Sequence, residues 1–161
     1  MARIDFPEKG LGEHADWMLA RPEIAIAMGA LSSAVYQKSK LNKREKEAAR
    51  YAIALINDCA VCRATRVKDA EAIGIEEGFY AEIPAWRTST ELSDRERLAA
   101  EFGQRFASDH QSMDDEFWAR LRAAYADEEI ADLTRCCGMW LGMGRTLAVI
   151  GVRAPDERIL V

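Results

Sequence analysis

The stretch Leu41–Gly74, LNKREKEAARYAIALINDCAVCRATRVKDAEAIG, decides how this chain is read. A charged start from Leu41 to Glu47 runs into an apolar segment, Ala48 to Ile56, and Asn57-Asp58 breaks the pattern ahead of Cys59-Ala60-Val61-Cys62. Eleven residues separate Glu47 from Cys59, and the second cysteine follows three positions on. Cysteines three apart on a helix share a face and can close a reducible disulfide. The apolar segment predicts a helix from about Lys43 to Ile56. Asp58 is a fitting N-cap for a further helix from Cys59 to about Ile73, with Gly74 as its stop. If Asn57-Asp58 turns the chain, the two helices run antiparallel. Glu47 and Arg66 then lie level, roughly 13 and 12 Å from the turn at the helical rise per residue. Cys62 sits one turn back from Arg66 on the same face. The spacing predicts a line of groups from Glu47 through Arg66 to Cys62, with Cys59 nearer the helix start.

Outward from this stretch the signals stay helical, and no strand-like alternation of useful length occurs. Glu13 to Leu19 reads as a short helix. Pro22 suits the first turn of a second, which carries Ile24, Ile26, Ala27, Leu31 and Val35 at helical spacing to about Gln37. Glu76 to Ile83 holds one more turn before Pro84. Ser93 with Glu96 forms a capping-box pattern that opens a helix to about Ser108. Asp114 starts another to Tyr125, and Asp127 the last, to about Ile150. Leu41-Asn42-Lys43-Arg44-Glu45 is echoed by Leu92-Ser93-Asp94-Arg95-Glu96, a match that shared helix-start chemistry explains almost as well as duplication does. Arg87 to Thr90 reads as the loop freest to move. The expected architecture is all-α, one domain over residues 1–161.

The chain of 161 residues is 49% hydrophobic and 30% charged, an ordinary globular balance, and its net charge of −5 argues against nucleic acid as a partner. The start, Met1 to Pro7, has no apolar core of a secretory signal, and Arg145 interrupts the nearest approach to a membrane span, so a cytoplasmic location is expected. In such a compartment an isolated CxxC is more often redox or metal chemistry than a staple. Nine basic and three acidic residues lie between Lys38 and Lys68, a local +6, leaving −11 for the rest of the chain. Positive surroundings favour thiolate over thiol, and acidic substrates or reductants, although a solvated basic helix face would read the same way.

Glu47, the eleven-residue spacing and Cys59-Ala60-Val61-Cys62, preceded by Leu41-Asn42-Lys43-Arg44-Glu45, resemble the carboxymuconolactone decarboxylase superfamily on its alkylhydroperoxidase D-like (AhpD-like) side. The likeness extends to Pro22-Glu23, to Ala70 through Gly74, and to the charged start Leu92 to Glu96. It implies an AhpD-like all-helical fold, a homo-oligomer and an antioxidant, peroxiredoxin-type reduction of hydroperoxides. It implies Cys62 as the thiol that attacks the peroxide, Cys59 as the resolving partner and Glu47 as part of a proton relay. An external dithiol or lipoyl-type reductant would reset the pair, and neither a metal nor an organic cofactor is implied. The chain departs from the family pattern at two places: Arg66 stands where the family has a histidine four residues after the second cysteine, and Val61 where AhpD itself has another. Arginine holds a thiolate electrostatically but does not relay a proton.

Other readings stay open beside this one. Arg66 favours a thiol–disulfide exchange or redox-sensing protein with weak peroxidase activity. A buried, unreactive cysteine pair would mark a non-catalytic oligomer on the same fold. A decarboxylase or lactone-processing enzyme would leave the cysteines idle. Zinc needs about four ligands where one CxxC supplies two, and the adjacent Cys136 and Cys137 point about 100° apart on a helix, which suits packing. Gly138, Gly142 and Gly144 would let another helix approach the last one. His14 and His110 read as surface residues, and Trp17, Trp86, Trp118 and Trp140 as packing anchors. Glu47 also has a plainer reading, an ion pair with Arg44 or Arg50.

Overall fold

A computed structural model describes residues 2–7, 9–68 and 70–154. Eight α-helices are formed among them: α1 (Glu13–Leu19), α2 (Pro22–Lys38), α3 (Lys43–Ile56), α4 (Ala60–Ala64), α5 (Glu77–Glu82), α6 (Asp94–Ser108), α7 (Asp115–Ala124) and α8 (Asp127–Ile150). Short 3-10 turns follow α4, α5 and α6. The centre of the molecule is α3 against α6, with α8 laid across α3.

The two central helices start alike. Asn42 and Ser93 cap them, each taking a backbone N–H from a glutamate three residues on, Glu45 or Glu96, whose carboxylate reaches back. Leu41 and Leu92, just ahead of the caps, are both buried. The ion pairs are exchanged between the copies: Arg44 binds Glu96, and Arg95 binds Glu45. The sequence echo thus marks two helix starts that lock onto each other. Beyond them small residues allow close approach, since a Cβ on Gly103 would lie 2.5 Å from the carbonyl oxygen of Ala49.

The region after α3 departs from expectation. Asp58 adopts a left-handed backbone (φ 47°), so the chain turns there instead of starting a helix. Cys59 is the N-cap, its sulfur accepting the N–H of Cys62 at 3.2 Å. The helix then lasts five residues, not fifteen, and Thr65 is extended. Its last carbonyls are not carried on by further turns: Arg50 donates to the oxygens of Cys62 (2.6 Å) and Thr65 (3.2 Å). The chain coils again at Ala70–Ile73 and stops at Gly74, φ 65°, as a glycine stop should. Asp69, within the expected longer helix, lies outside the described residues, as does Met1.

Other expectations need smaller corrections. Ser89, in the supposed free loop, is buried; its hydroxyl accepts from Glu91 and Leu92, and its carbonyl from Arg97. Of the three glycines of α8 only Gly144 is at a close approach; Gly138 and Gly142 face open space. Helix α2 buries only Val35 completely and leaves Ile24, Ile26 and Leu31 51%, 73% and 50% exposed.

Candidate active site

The cysteine pair forms a disulfide, Cys59–Cys62, with Cα atoms 5.3 Å apart. Its two halves have different surroundings. Cys59 is wholly buried with Val61, Leu147 and Val152, and Phe6 and Trp17 pack on that cluster. Cys62 is half-buried and lines a cavity of about 130 Å³. The cavity wall is largely apolar, with Val61, Met139, Trp140, Met143 and Leu147 among its residues. A Cβ on Gly144 would stand 3.2 Å from the Cys62 sulfur and 2.8 Å from Asn57 Nδ2, so only glycine lets α8 pass this close. Asn57 fixes the helix there, donating to the Leu141 carbonyl (3.2 Å) and accepting from Arg145 (3.0 Å).

Glu47 is buried and binds Arg50 bidentately, at 2.8 and 2.7 Å, while the Tyr80 hydroxyl donates to it at 2.8 Å. The plainer reading of Glu47, an ion pair with Arg50, therefore describes its contacts. Burial alone would lower the Arg50 pKa, but the Glu47 carboxylate more than reverses this, so the guanidinium stays charged. Glu47 thus reaches the cysteine loop through Arg50, which ties α3 to the carbonyl ends of α4. Arg50 is the residue that sequence reasoning undervalued. Its signal was there, a basic residue three positions after Glu47, the spacing at which helical side chains pair.

Arg66 lies elsewhere. Its guanidinium binds Glu77 at 2.7 and 3.0 Å, donates to the Arg63 and Thr65 carbonyls, and covers the Tyr80 ring at 4.1 Å. It is not among the residues lining the Cys62 cavity. The predicted line Glu47–Arg66–Cys62 does not form, because the early end of α4 redirects the chain before Arg66. The local excess of positive charge is also largely matched: Lys40, Arg44, Arg50, Arg63 and Arg66 all sit in ion pairs.

Three polar groups that sequence reasoning did not bring to the cysteines are in the cavity wall: His14 from α1, Tyr36 from α2 and the indole of Trp140 from α8. His14 is a correction, having been read as a surface residue; burial lowers its pKa below the ordinary 6.5. Burial pushes the Tyr36 hydroxyl up to about 12, with the nearby Arg50 opposing. The buried Trp140 Nε1–H donates to no acceptor among the described residues, although it lies close enough to the Tyr36 oxygen to oppose the rise of its pKa. His110 stays exposed, in the 3-10 turn His110–Ser112. Cys136 and Cys137 belong to the main core, apart from the Cys59 cluster, and burial raises both pKa values, that of Cys136 to about 11. They pack as small apolar residues.

A thiol open to a cavity, with a second, shielded sulfur at bonding distance, can cycle between dithiol and disulfide. The profile of the carboxymuconolactone decarboxylase family matches residues 22–105, a span that holds both cysteines, Glu47 and Arg50. The chain belongs to this family. Its fold is AhpD-like. A protein of unknown function from Agrobacterium tumefaciens, provisionally named as the antioxidant defence protein AhpD, is 25% identical and superposes with a TM-score of 0.80, over 98% of this chain and 100% of its own. An uncharacterised peroxidase-related protein from a Silicibacter species shares the fold at 16% identity, with a TM-score of 0.79 over 98% of this chain and 93% of its own. No curated protein matches. Fold and cysteine pair together are consistent with a redox-active role within the AhpD and carboxymuconolactone decarboxylase superfamily.

Proposed function

We propose that the protein is a thiol-dependent oxidoreductase that reduces hydroperoxides through Cys62 and Cys59. The observation that carries the reading is the asymmetry of the pair: Cys62 faces the cavity while Cys59 is fully buried beside it. The Cys62 thiolate attacks one peroxide oxygen, forming S–O as O–O breaks, and the second oxygen leaves as alcohol or water. Cys59 then displaces water from the sulfenic acid and closes the disulfide. An external dithiol or lipoyl-type reductant supplies two electrons and two protons to reopen it, in a reducing compartment such as the cytoplasm. Similarity to proteins named for antioxidant defence and peroxidase chemistry supports the reading. Glu47 and Arg50 act as a fixed anchor that holds the cysteine loop, and Arg66 braces Tyr80 behind it.

The test is stopped-flow oxidation of the reduced protein by hydrogen peroxide and by an organic hydroperoxide, followed by thiol counting. The free thiols should fall by two, with Cys136 and Cys137 remaining, and Cys62→Ser should abolish disulfide formation. Persistence of alkylatable Cys59 and Cys62 would overturn the reading. The displacement of Arg66 from the cavity favours one alternative, a thiol–disulfide exchange protein, which small disulfides would oxidise much faster than peroxides. A homo-oligomer is part of the proposal: the exposed apolar residues of α2, Ile24, Ile26 and Leu31, are the surface it would cover. Light scattering should return a mass above the 18.0 kDa of one chain.

A further inference from the structure

We infer that His14, on the first helix, moves the proton in the reaction of Cys62. His14 and Cys62 line the same cavity. The other titratable side chains of that wall cannot take this part near neutral pH. Tyr36 is pushed up to about 12 by burial, and Arg50 is held charged by Glu47. Among the described residues lining the cavity, His14 alone carries an imidazole, the side chain whose ordinary pKa lies near neutral pH. Its own helix does not hold it as a cation: Glu13 is bound to Arg153, and Asp16 accepts the backbone N–H of Lys9. Trp17 is its ring neighbour at 6.3 Å. Burial favours the neutral imidazole, which is the form able to accept a proton.

The inference rests on the hydroperoxide reading for the identity of the leaving group. Neutral His14 takes the proton of the Cys62 thiol, leaving a thiolate and an imidazolium. The thiolate sulfur bonds to the terminal peroxide oxygen, which keeps its hydrogen. The O–O bond breaks, and its electron pair departs on the alkoxide oxygen. The imidazolium gives its proton to that alkoxide, so thiol and hydroperoxide become sulfenic acid and alcohol, and His14 returns neutral. The histidine that the family motif would place at position 66 is thus replaced in space, from another helix.

Two measurements decide it. The first is an NMR titration of the two imidazoles in the disulfide and the reduced protein, with His110→Gln assigning the signals. The His14 pKa should rise by roughly half a unit or more on reduction, because a thiolate in the same cavity favours the imidazolium, while that of His110 stays put. An identical His14 pKa in both redox states overturns the inference. The second is the rate of disulfide formation with cumene hydroperoxide against pH. His14→Gln should slow it by about 10²-fold and remove an inflection lying below the usual histidine range, the lower end of the general acid–base effect. Alkylation by iodoacetamide at pH 9, which needs no proton carrier, should change less than about threefold, showing that the pocket is intact. A wild-type rate and pH profile in His14→Gln overturns the inference. A wild-type protein inert to hydroperoxides would instead remove the peroxidase reading, and the redox-linked titration would still decide on His14.

Discussion

Helices α3 and α6 begin with the same grammar and finish with different tasks. Shifted by 51 positions, Leu41, Asn42, Arg44 and Glu45 fall on Leu92, Ser93, Arg95 and Glu96, and Ala48-Ala49 on Ala99-Ala100. The two leucines, the two glutamates and the four alanines of this set are buried, and the two arginines pair with the glutamates across the interface. The copies part at two places. Where α6 has Leu98 packed in the core, α3 has Glu47; where α6 has Glu101, paired outward with Arg105 and Arg120, α3 has Arg50. One helix gives the first position to core packing and pairs a buried carboxylate at the second with two partly exposed arginines. The other buries an ion pair and turns its cation toward the cysteine loop. The polar exception on an otherwise matched scaffold marks the site.

Breaking that exception should have the largest effect. Glu47→Leu, which copies Leu98, strands the buried Arg50 and should cost about 3–5 kcal/mol in urea unfolding. Glu47→Leu with Arg50→Leu should recover much of that stability, yet leave the Cys62 and Thr65 carbonyls without their donor and the loop disordered. Equal stability of the single and double variants would show that the pair is not what holds this region.

Next in size is the contact between the two helices. Gly103→Ala brings a methyl group onto the Ala49 carbonyl and should cost roughly 1–3 kcal/mol. Ala52→Gly, its counterpart on α3, creates no clash and should cost only about 1 kcal/mol, the helix penalty of glycine.

The exchanged ion pairs come third. Double-mutant cycles on Arg44 with Glu96 and Arg95 with Glu45 should each show coupling of roughly 0.5–1 kcal/mol, similar on the two sides if the starts are equivalent. Burial alone would raise the Glu96 pKa, but Arg44 and the helix start hold it below the ordinary 4.5. A carboxylate with a lowered folded pKa contributes stability above the unfolded value, lost as pH falls through the folded one. Acid titration of stability below about pH 4.5 should therefore flatten in Glu96→Gln.

The smallest effect belongs to Arg66, whose pair with the exposed Glu77 has no bearing on the two-helix contact. Arg66→Ala should destabilise by only about 0.2–1 kcal/mol and leave alkylation of reduced Cys62 within roughly threefold of wild type. A tenfold fall in that rate would restore the direct Arg66–Cys62 geometry predicted from spacing.

Much of the molecule was legible in its residues. The helices α1, α2, α3, α6, α7 and α8 fall where periodicity and capping residues put them, because those signals act within a few residues of the chain. The reach of the two cysteines for each other was equally local. The length of α4 was not legible. Helix signals from Cys59 to Ile73 are real, yet Asp58 turns left-handed, Thr65 extends, and a cation from another helix takes the carbonyls that further turns would have used.

The sequence alone determined the helical class, the central pair of capped helices and the presence of a cysteine couple able to form a disulfide. Each follows from side chains interacting with their own backbone neighbourhood, where separation along the chain is separation in space. Tertiary structure decided that Arg66 pairs with Glu77 away from Glu47, that Cys62 faces a cavity while Cys59 is sealed, and that His14 shares the cavity wall with Cys62. These depend on how segments far apart in sequence come to lie together once two bends in the backbone have redirected them. No periodicity reports such a bend, because a few dihedral angles at Asp58 and Thr65 swing every later side chain to a new face.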